Sequence, residues 1–291
     1  MPIPTFLIVG AAKAGTTSLY HYLKQHPDVF MPKLKEPHYF AQFADELCKK
    51  QFYFLREWNE NLALFEGAGT AKAIGESSVS YLCHSGPAER IRDRLPDVKI
   101  IICLRNPVER VFSHFLMDIR DGKLPCAAEL LPTVLADDDI PEKMWGSCNL
   151  FLECGRYARQ VAEYFEVFGR DSVRVILYED FKTNPIETLH DLYAFLGINT
   201  DFTPQIGKVF NTYAKPRSAL LAPIYSSYQI RRLGKLIFPD QWKQRILGLF
   251  LKREPKPEMT EVEMTTLYEL YQADVEALED LLGFALSAWR P

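Results

Sequence analysis

A lysine among small residues at a strand-to-helix junction is the first chemistry legible in this chain. Gly10-Ala11-Ala12-Lys13-Ala14-Gly15-Thr16-Thr17-Ser18 follows the apolar run Pro4–Val9 and leads into a helical pattern from Thr16 to His26 that carries Leu19, Tyr20 and Leu23. Small side chains let backbone N–H groups converge on an anion at the positive end of a helix, so this loop binds a phosphate-like group. It is not a Walker loop: Thr16 stands where Gly-x-x-x-x-Gly-Lys-[Ser/Thr] needs its lysine, and the lysine has moved to position 13. A nucleotide hydrolase would also end an apolar strand in a magnesium-binding acid, whereas the run Val98–Leu104 ends in Arg105-Asn106. Arg105 at a strand end and Ser113 about two turns into the next helix return to nearly one face, so both can point at a single anion. A guanidinium fork binds phosphate bidentately.

These groups need a scaffold. The runs Val98–Leu104 and Val173–Tyr178 read as buried strands, and a shorter strand from Lys72 to Gly75 leads into a polar loop, Glu76-Ser77-Ser78. Asn106-Pro107 and Asn184-Pro185 each open a helix, with Asn as N-cap and Pro at the first helical position. Near-continuous apolar strands separated by helices imply an α/β fold with a central parallel sheet flanked by helices on both faces. Ligands then sit at the carboxyl ends of the strands, where the loops 10–17, 76–81 and 104–113 gather. Residues 121–150, with three prolines and Asp137-Asp138-Asp139, read as an irregular surface insertion. The part from 215 onward reads as helical: Lys215 to Arg253 holds nine basic residues against Asp240 alone, and 258–282 is an acidic amphipathic helix.

The chain has 291 residues and a net charge of −4, so it can bury a full core as a single domain and has no general attraction for nucleic acid. No apolar run reaches the roughly 20 residues of a membrane span, and the first apolar stretch lacks a basic leader. Six cysteines without a CxxC pair and six histidines without metal spacing suit a reduced, cytoplasmic protein with no structural metal.

Lys13-Ala14-Gly15-Thr16-Thr17-Ser18-Leu19 resembles the 5′-phosphosulfate loop of sulfotransferases that use 3′-phosphoadenylyl sulfate. Leu104-Arg105-Asn106-Pro107-Val108-Glu109-Arg110-Val111-Phe112-Ser113-His114 resembles their 3′-phosphate segment, with arginine and serine eight residues apart. Lys35-Glu36-Pro37-His38-Tyr39-Phe40 is similar to a segment of the heparan sulfate glucosaminyl sulfotransferases and their bacterial relatives. The resemblance implies the P-loop nucleoside triphosphate hydrolase-like fold, with 3′-phosphoadenylyl sulfate as co-substrate, adenosine 3′,5′-bisphosphate as product and no metal. The acceptor would be a hydroxyl or amine, on a carbohydrate, glycolipid or other small molecule.

By that resemblance Lys13 would neutralise charge on the oxygen bridging sulfur and the 5′-phosphate. Ala14, Gly15, Thr16, Thr17 and Ser18 would cradle that phosphate, and Arg105 and Ser113 would take the 3′-phosphate. Glu36 matches the catalytic base of the glucosaminyl enzymes, and His38 competes for that role, since the hormone and phenol branch uses histidine. Glu76-Ser77-Ser78-Val79-Ser80-Tyr81 departs from the family pattern, with Ser77 in place of a lysine. Lys215 and Arg217 resemble, loosely, a late basic loop that closes over the nucleotide. The aromatic and basic stretch 220–252 reads either as an acceptor or peripheral membrane face or as helices packed on the core. Two rivals stand beside this reading: a P-loop kinase or nucleotidase, and a non-catalytic protein that binds the donor or its product.

Overall fold

The structure, a computed structural model, describes residues 1–42, 54–138, 150–207, 215–216, 251–252 and 255–290. Five strands form one parallel sheet: β1 (Phe6–Gly10), β2 (Val29–Phe30), β3 (Ala73–Ser77), β4 (Lys99–Leu104) and β5 (Val173–Leu177), in the order β2-β3-β1-β4-β5. Phe6 to Val9 and Ile100 to Ile102 are wholly buried, which is why these central strands read as unbroken apolar runs. β5, at the edge of the sheet among the described residues, is less fully covered, with Arg174 exposed and Val175 and Leu177 half-buried.

β1 lies between β3 and β4, and the chain crosses from one flank to the other between those two strands. The carboxyl end of β1 is therefore the topological switch point, the place where a crevice opens in sheets of this kind. The loop after β1 occupies it.

Helices α1 (Thr16–Leu23), α2 (Trp58–Ala63), α3 (Ser80–Cys83), α4 (Pro87–Arg94), α5 (Pro107–Arg120), α6 (Leu130–Asp138), α7 (Tyr157–Phe168), α8 (Tyr178–Thr183), α9 (Pro185–Leu196) and α10 (Glu261–Leu282) flank the sheet. Asn106 caps α5 as its sequence predicts, accepting from the N–H groups of Val108 (2.9 Å) and Glu109 (3.3 Å). Asn184 precedes α9 but makes no side-chain cap bond. Within the stretch 121–150, α6 sinks Leu130 and Val134 into the main core, and residues 139–149 lie outside the described residues.

The C-terminal helix begins in a capping box of Thr260 and Glu263 and contributes Leu267, Tyr271, Val275 and Leu278 to the same core. Asp274 then accepts from the N–H of Tyr157 (2.6 Å), fixing the start of α7. The part after 215 is not purely helical: β6 (Lys215–Pro216) and β7 (Leu251–Lys252) pair antiparallel. Residues 217–250, which include Arg217 and most of the aromatic and basic stretch, lie outside the described residues. No described helix is long and apolar enough to cross a membrane.

Candidate active site

β1 delivers the loop 10–18 to the carboxyl edge. The Ala11 N–H donates to the Cys103 carbonyl (2.6 Å), tying the loop to β4. Gly15 stands at the N-cap of α1 with φ +85° and no side-chain cap bond, so no side chain competes for the helix's positive end. Glycine is required there: a Cβ would lie 2.7 Å from the Tyr178 ring, in a backbone region that L-residues avoid. Ala14 and Thr16 are buried, and Thr17 and Ser18 are half-buried along the first turn.

β4 brings the second motif to the first. Arg105 Nη1 donates to the Lys13 carbonyl (3.3 Å), and its guanidinium lies 4.8 Å from the centre of the Tyr178 ring. Behind it, Tyr157 donates its hydroxyl to the Arg105 carbonyl (3.0 Å). Glu179 accepts from the Asn106 N–H (3.0 Å) and from the Trp289 indole (3.1 Å), anchoring the β4 end to the C-terminus. The guanidinium fork is engaged by Glu109 (3.0 Å), which Lys256 also holds (3.2 Å). Ser113 is half-buried on α5, without a hydrogen bond to Arg105. The backbone of Lys215 pairs with Lys252 in a strand that packs on α5.

The third motif lies across β3 from the loop. The Glu36 N–H donates to the Ser77 carbonyl (2.9 Å), and the His38 N–H donates to Ser78 Oγ (3.0 Å). His38 Nδ1 contacts Ser80 Oγ (2.7 Å) and its Nε2 lies 3.5 Å from Glu36 Oε2; Lys35 pairs with the other oxygen. Phe40 N–H donates to the Tyr81 hydroxyl (3.3 Å), and Arg90 Nε to the Phe40 carbonyl (2.8 Å).

Among the described residues the non-glycine positions with left-handed backbone are Lys13 (φ 72°), Glu36 (65°), His38 (55°) and Gln42 (47°). Three of these four are residues to which the family resemblance assigns a role. Strained backbone persists where surrounding contacts over-determine it, as at functional sites.

Electrostatics separate the titratable groups. Burial, with the Arg120 and Arg105 guanidiniums, lowers the Lys13 pKa to about 8 against the opposing carboxylates of Asp121 and Asp118. For Glu36, burial favours the neutral acid, but Lys35 and His38 outweigh it and hold the carboxyl well below the usual range. Glu76 goes the other way: wholly buried in β3, it is pushed up to about 7, while the Ser78 and Tyr81 hydroxyls oppose that shift. Ser78 Oγ donates to Glu76 Oε1 (2.8 Å), and Oε2 has no partner.

Glu76 and Ser77, expected in a polar loop, belong to β3 and are buried. The hydroxyl of Ser77, at the position where the heparan enzymes carry lysine, is buried and unbonded. Tyr81 packs fully inside against Phe40 and also bonds its backbone. Tyr178, Lys256 and Arg90 carry no signal in the sequence, because each is distant along the chain from the motif it supports.

An uncapped glycine-bearing helix start, a half-buried lysine and a converging guanidinium at the switch point of a parallel sheet define an α/β protein built to hold a phosphorylated ligand. Residues 4–215 match the family described as Sulfotransferase domain, and the chain belongs to that family. It is 32% identical, over the full length of both chains and with a TM-score of 0.77, to a crystal structure of a sulfotransferase from Alicyclobacillus acidocaldarius. Curated relatives include the mouse carbohydrate sulfotransferase 15, 25% identical over 246 residues, covering 67% of this chain and 44% of that protein. The bifunctional heparan sulfate N-deacetylase/N-sulfotransferase of Drosophila melanogaster is 24% identical over 208 residues, covering 67% of this chain and 20% of its own. The chain thus spans less than half the length of these curated relatives.

Proposed function

We propose that this sulfotransferase moves a sulfuryl group from 3′-phosphoadenylyl sulfate to a hydroxyl or amine of a carbohydrate-like acceptor, releasing adenosine 3′,5′-bisphosphate. The observation that carries the reading is the convergence of Lys13 and Arg105, 92 positions apart in sequence, through the hydrogen bond between them. One phosphate then meets the α1 N-terminus and the other the Arg105 fork, a spacing that an ordinary adenylate lacks.

Transfer is an in-line displacement: the acceptor oxygen or nitrogen bonds to sulfur as the sulfur–oxygen bond to the 5′-phosphate breaks. Negative charge grows on the departing oxygen, where the Lys13 ammonium and the first N–H groups of α1 stabilise it more in the transition state than before it. The acceptor proton passes to Glu36, which stays ionised at neutral pH because Lys35 and His38 hold it so. The His38 side chain is only 5% exposed and bonds between Glu36 and Ser80, which suits orienting the base rather than meeting an acceptor. A carbohydrate acceptor is supported by the sulfotransferases of that description among the relatives. Cytoplasmic placement belongs to the same proposal, supported by the free thiols of Cys83, Cys103, Cys126 and Cys154.

Calorimetric titration with adenosine 3′,5′-bisphosphate, against adenosine 5′-phosphate and ATP, tests the donor. Sulfate-labelled transfer to a panel of sugars tests the reaction. Glu36→Gln should leave bisphosphate affinity unchanged and cut transfer at least about a hundredfold. Equal affinity with and without the 3′-phosphate overturns the donor assignment, and magnesium-dependent ATP turnover favours the kinase reading.

A further inference from the structure

Two thiols from distant parts of the chain meet behind the candidate site. Cys83 closes α3, and Cys154 lies in the 3-10 turn Glu153–Gly155; they are 71 positions apart in sequence. Both are buried, and Cys154 Sγ donates to Cys83 Sγ at 2.9 Å. With Leu150 they form a small apolar cluster of their own.

The segment that carries Cys154 is held by a buried cation at Phe151. Arg110 is fully buried, donates to the Phe151 carbonyl, lies 3.4 Å from His114 Nδ1 and leaves Nε without a partner. No carboxylate forms an ion pair with it among the described residues. Its uncompensated charge is felt at both sulfurs.

We propose that Cys83 and Cys154 are a redox modification site, a latent disulfide that a peroxide closes within the folded protein. One thiol attacks the peroxide oxygen, forming a sulfenic acid and releasing water. The second sulfur then displaces water from that sulfenic acid, so two thiols and one peroxide give one disulfide and two waters. The hydrogen bond from Cys154, and then burial, hold the Cys83 proton on while Arg110 pulls more weakly the other way, so closure is slow rather than instantaneous.

The bond would link two walls of the site. Cys83 follows Ser80 and Tyr81, which hold His38 and the Phe40 backbone. Cys154 follows Phe151 and Leu152, whose carbonyls both accept from the Tyr271 hydroxyl, and precedes Tyr157, which holds the Arg105 carbonyl.

The test uses the full chain, reduced, desalted and then held for hours in hydrogen peroxide at neutral pH. Alkylation in denaturant and peptide mass spectrometry should recover Cys83 and Cys154 as one cross-linked pair, reversible by dithiothreitol. The pair should survive in Cys126→Ser, which removes an exposed competing thiol. Closing a loop of this length should raise the melting temperature by about 5 °C over reduced protein. Recovery of both residues as alkylated thiols while Cys126 is oxidised overturns the proposal. So does a cross-link that forms only in denaturant, or one that lowers the melting temperature.

Discussion

Glu109 occupies the fork that the donor's 3′-phosphate is proposed to use, and this makes its removal an informative perturbation. The Arg105 side chain is 15% exposed and that of Glu109 42%, so their 3.0 Å pair is screened and worth about 0.3–0.5 kcal/mol. An arriving phosphate forfeits that pair and meets the repulsion of a half-exposed carboxylate, about 1 kcal/mol at roughly 5 Å when water screens it as in bulk. Glu109→Gln should therefore tighten binding of adenosine 3′,5′-bisphosphate by between about twofold and about tenfold. Arg105→Ala should weaken it by about tenfold to about a hundredfold, the worth of hydrogen bonds to a charged group. Calorimetric titration of both variants reads these changes, with adenosine 5′-phosphate as internal control: Glu109→Gln leaves the 10–18 loop untouched, and Arg105→Ala, which also removes the bond to the Lys13 carbonyl, should weaken the 5′-phosphate less than the bisphosphate. Weaker bisphosphate binding in Glu109→Gln would show that the carboxylate orients Arg105 instead of competing for it. Equal changes for both nucleotides would remove the 3′-phosphate from Arg105 altogether.

Gly15→Ala should abolish measurable bisphosphate binding in the same titration, because the added Cβ collides with Tyr178 and the left-handed backbone costs about 1–2 kcal/mol more. Lys13 has its pKa lowered to about 8, so kcat/KM should fall as pH rises through that value. Lys13→Arg, slower overall, should lose that alkaline limb, and a limb unchanged in the variant would assign it to another group. The folded-state pKa of Glu76 lies near 7, above its unfolded value, so its contribution to stability is fully present below about pH 4.5 and is lost as pH rises through 7. Glu76→Gln should flatten this dependence and be the more stable protein at pH 8 by up to about 3 kcal/mol. Denaturant melts from pH 4.5 to 8 read the difference, and parallel curves for the two proteins would contradict it.

Much of the frame is local information. β1 and β4 announce themselves because strands covered on both faces must be apolar throughout, and the Gly10–Ser18 loop because an anion site at a helix start needs small residues and an open cap. Asn106-Pro107 specifies its helix start in two residues. Glu76 was misplaced for a physical reason: a carboxylate reads as a loop residue, and only burial among Ser78, Tyr81 and the sheet makes it a strand residue.

The parallel α/β class is legible in the sequence, and Lys13 and Arg105 stand out because each sits in a contiguous motif whose spacing carries its chemistry, whereas Glu36 and His38 stand out through the family resemblance alone. Tertiary structure alone decided what faces what. The Arg105 fork rests on the Lys13 carbonyl, the Tyr178 ring lies under both Gly15 and Arg105, and Cys83 meets Cys154 across 71 positions. Such contacts follow from strand order and helix packing, which no local pattern encodes. The charge states of Lys13, Glu36 and Glu76 likewise depend on burial and on neighbours that only the folded chain supplies.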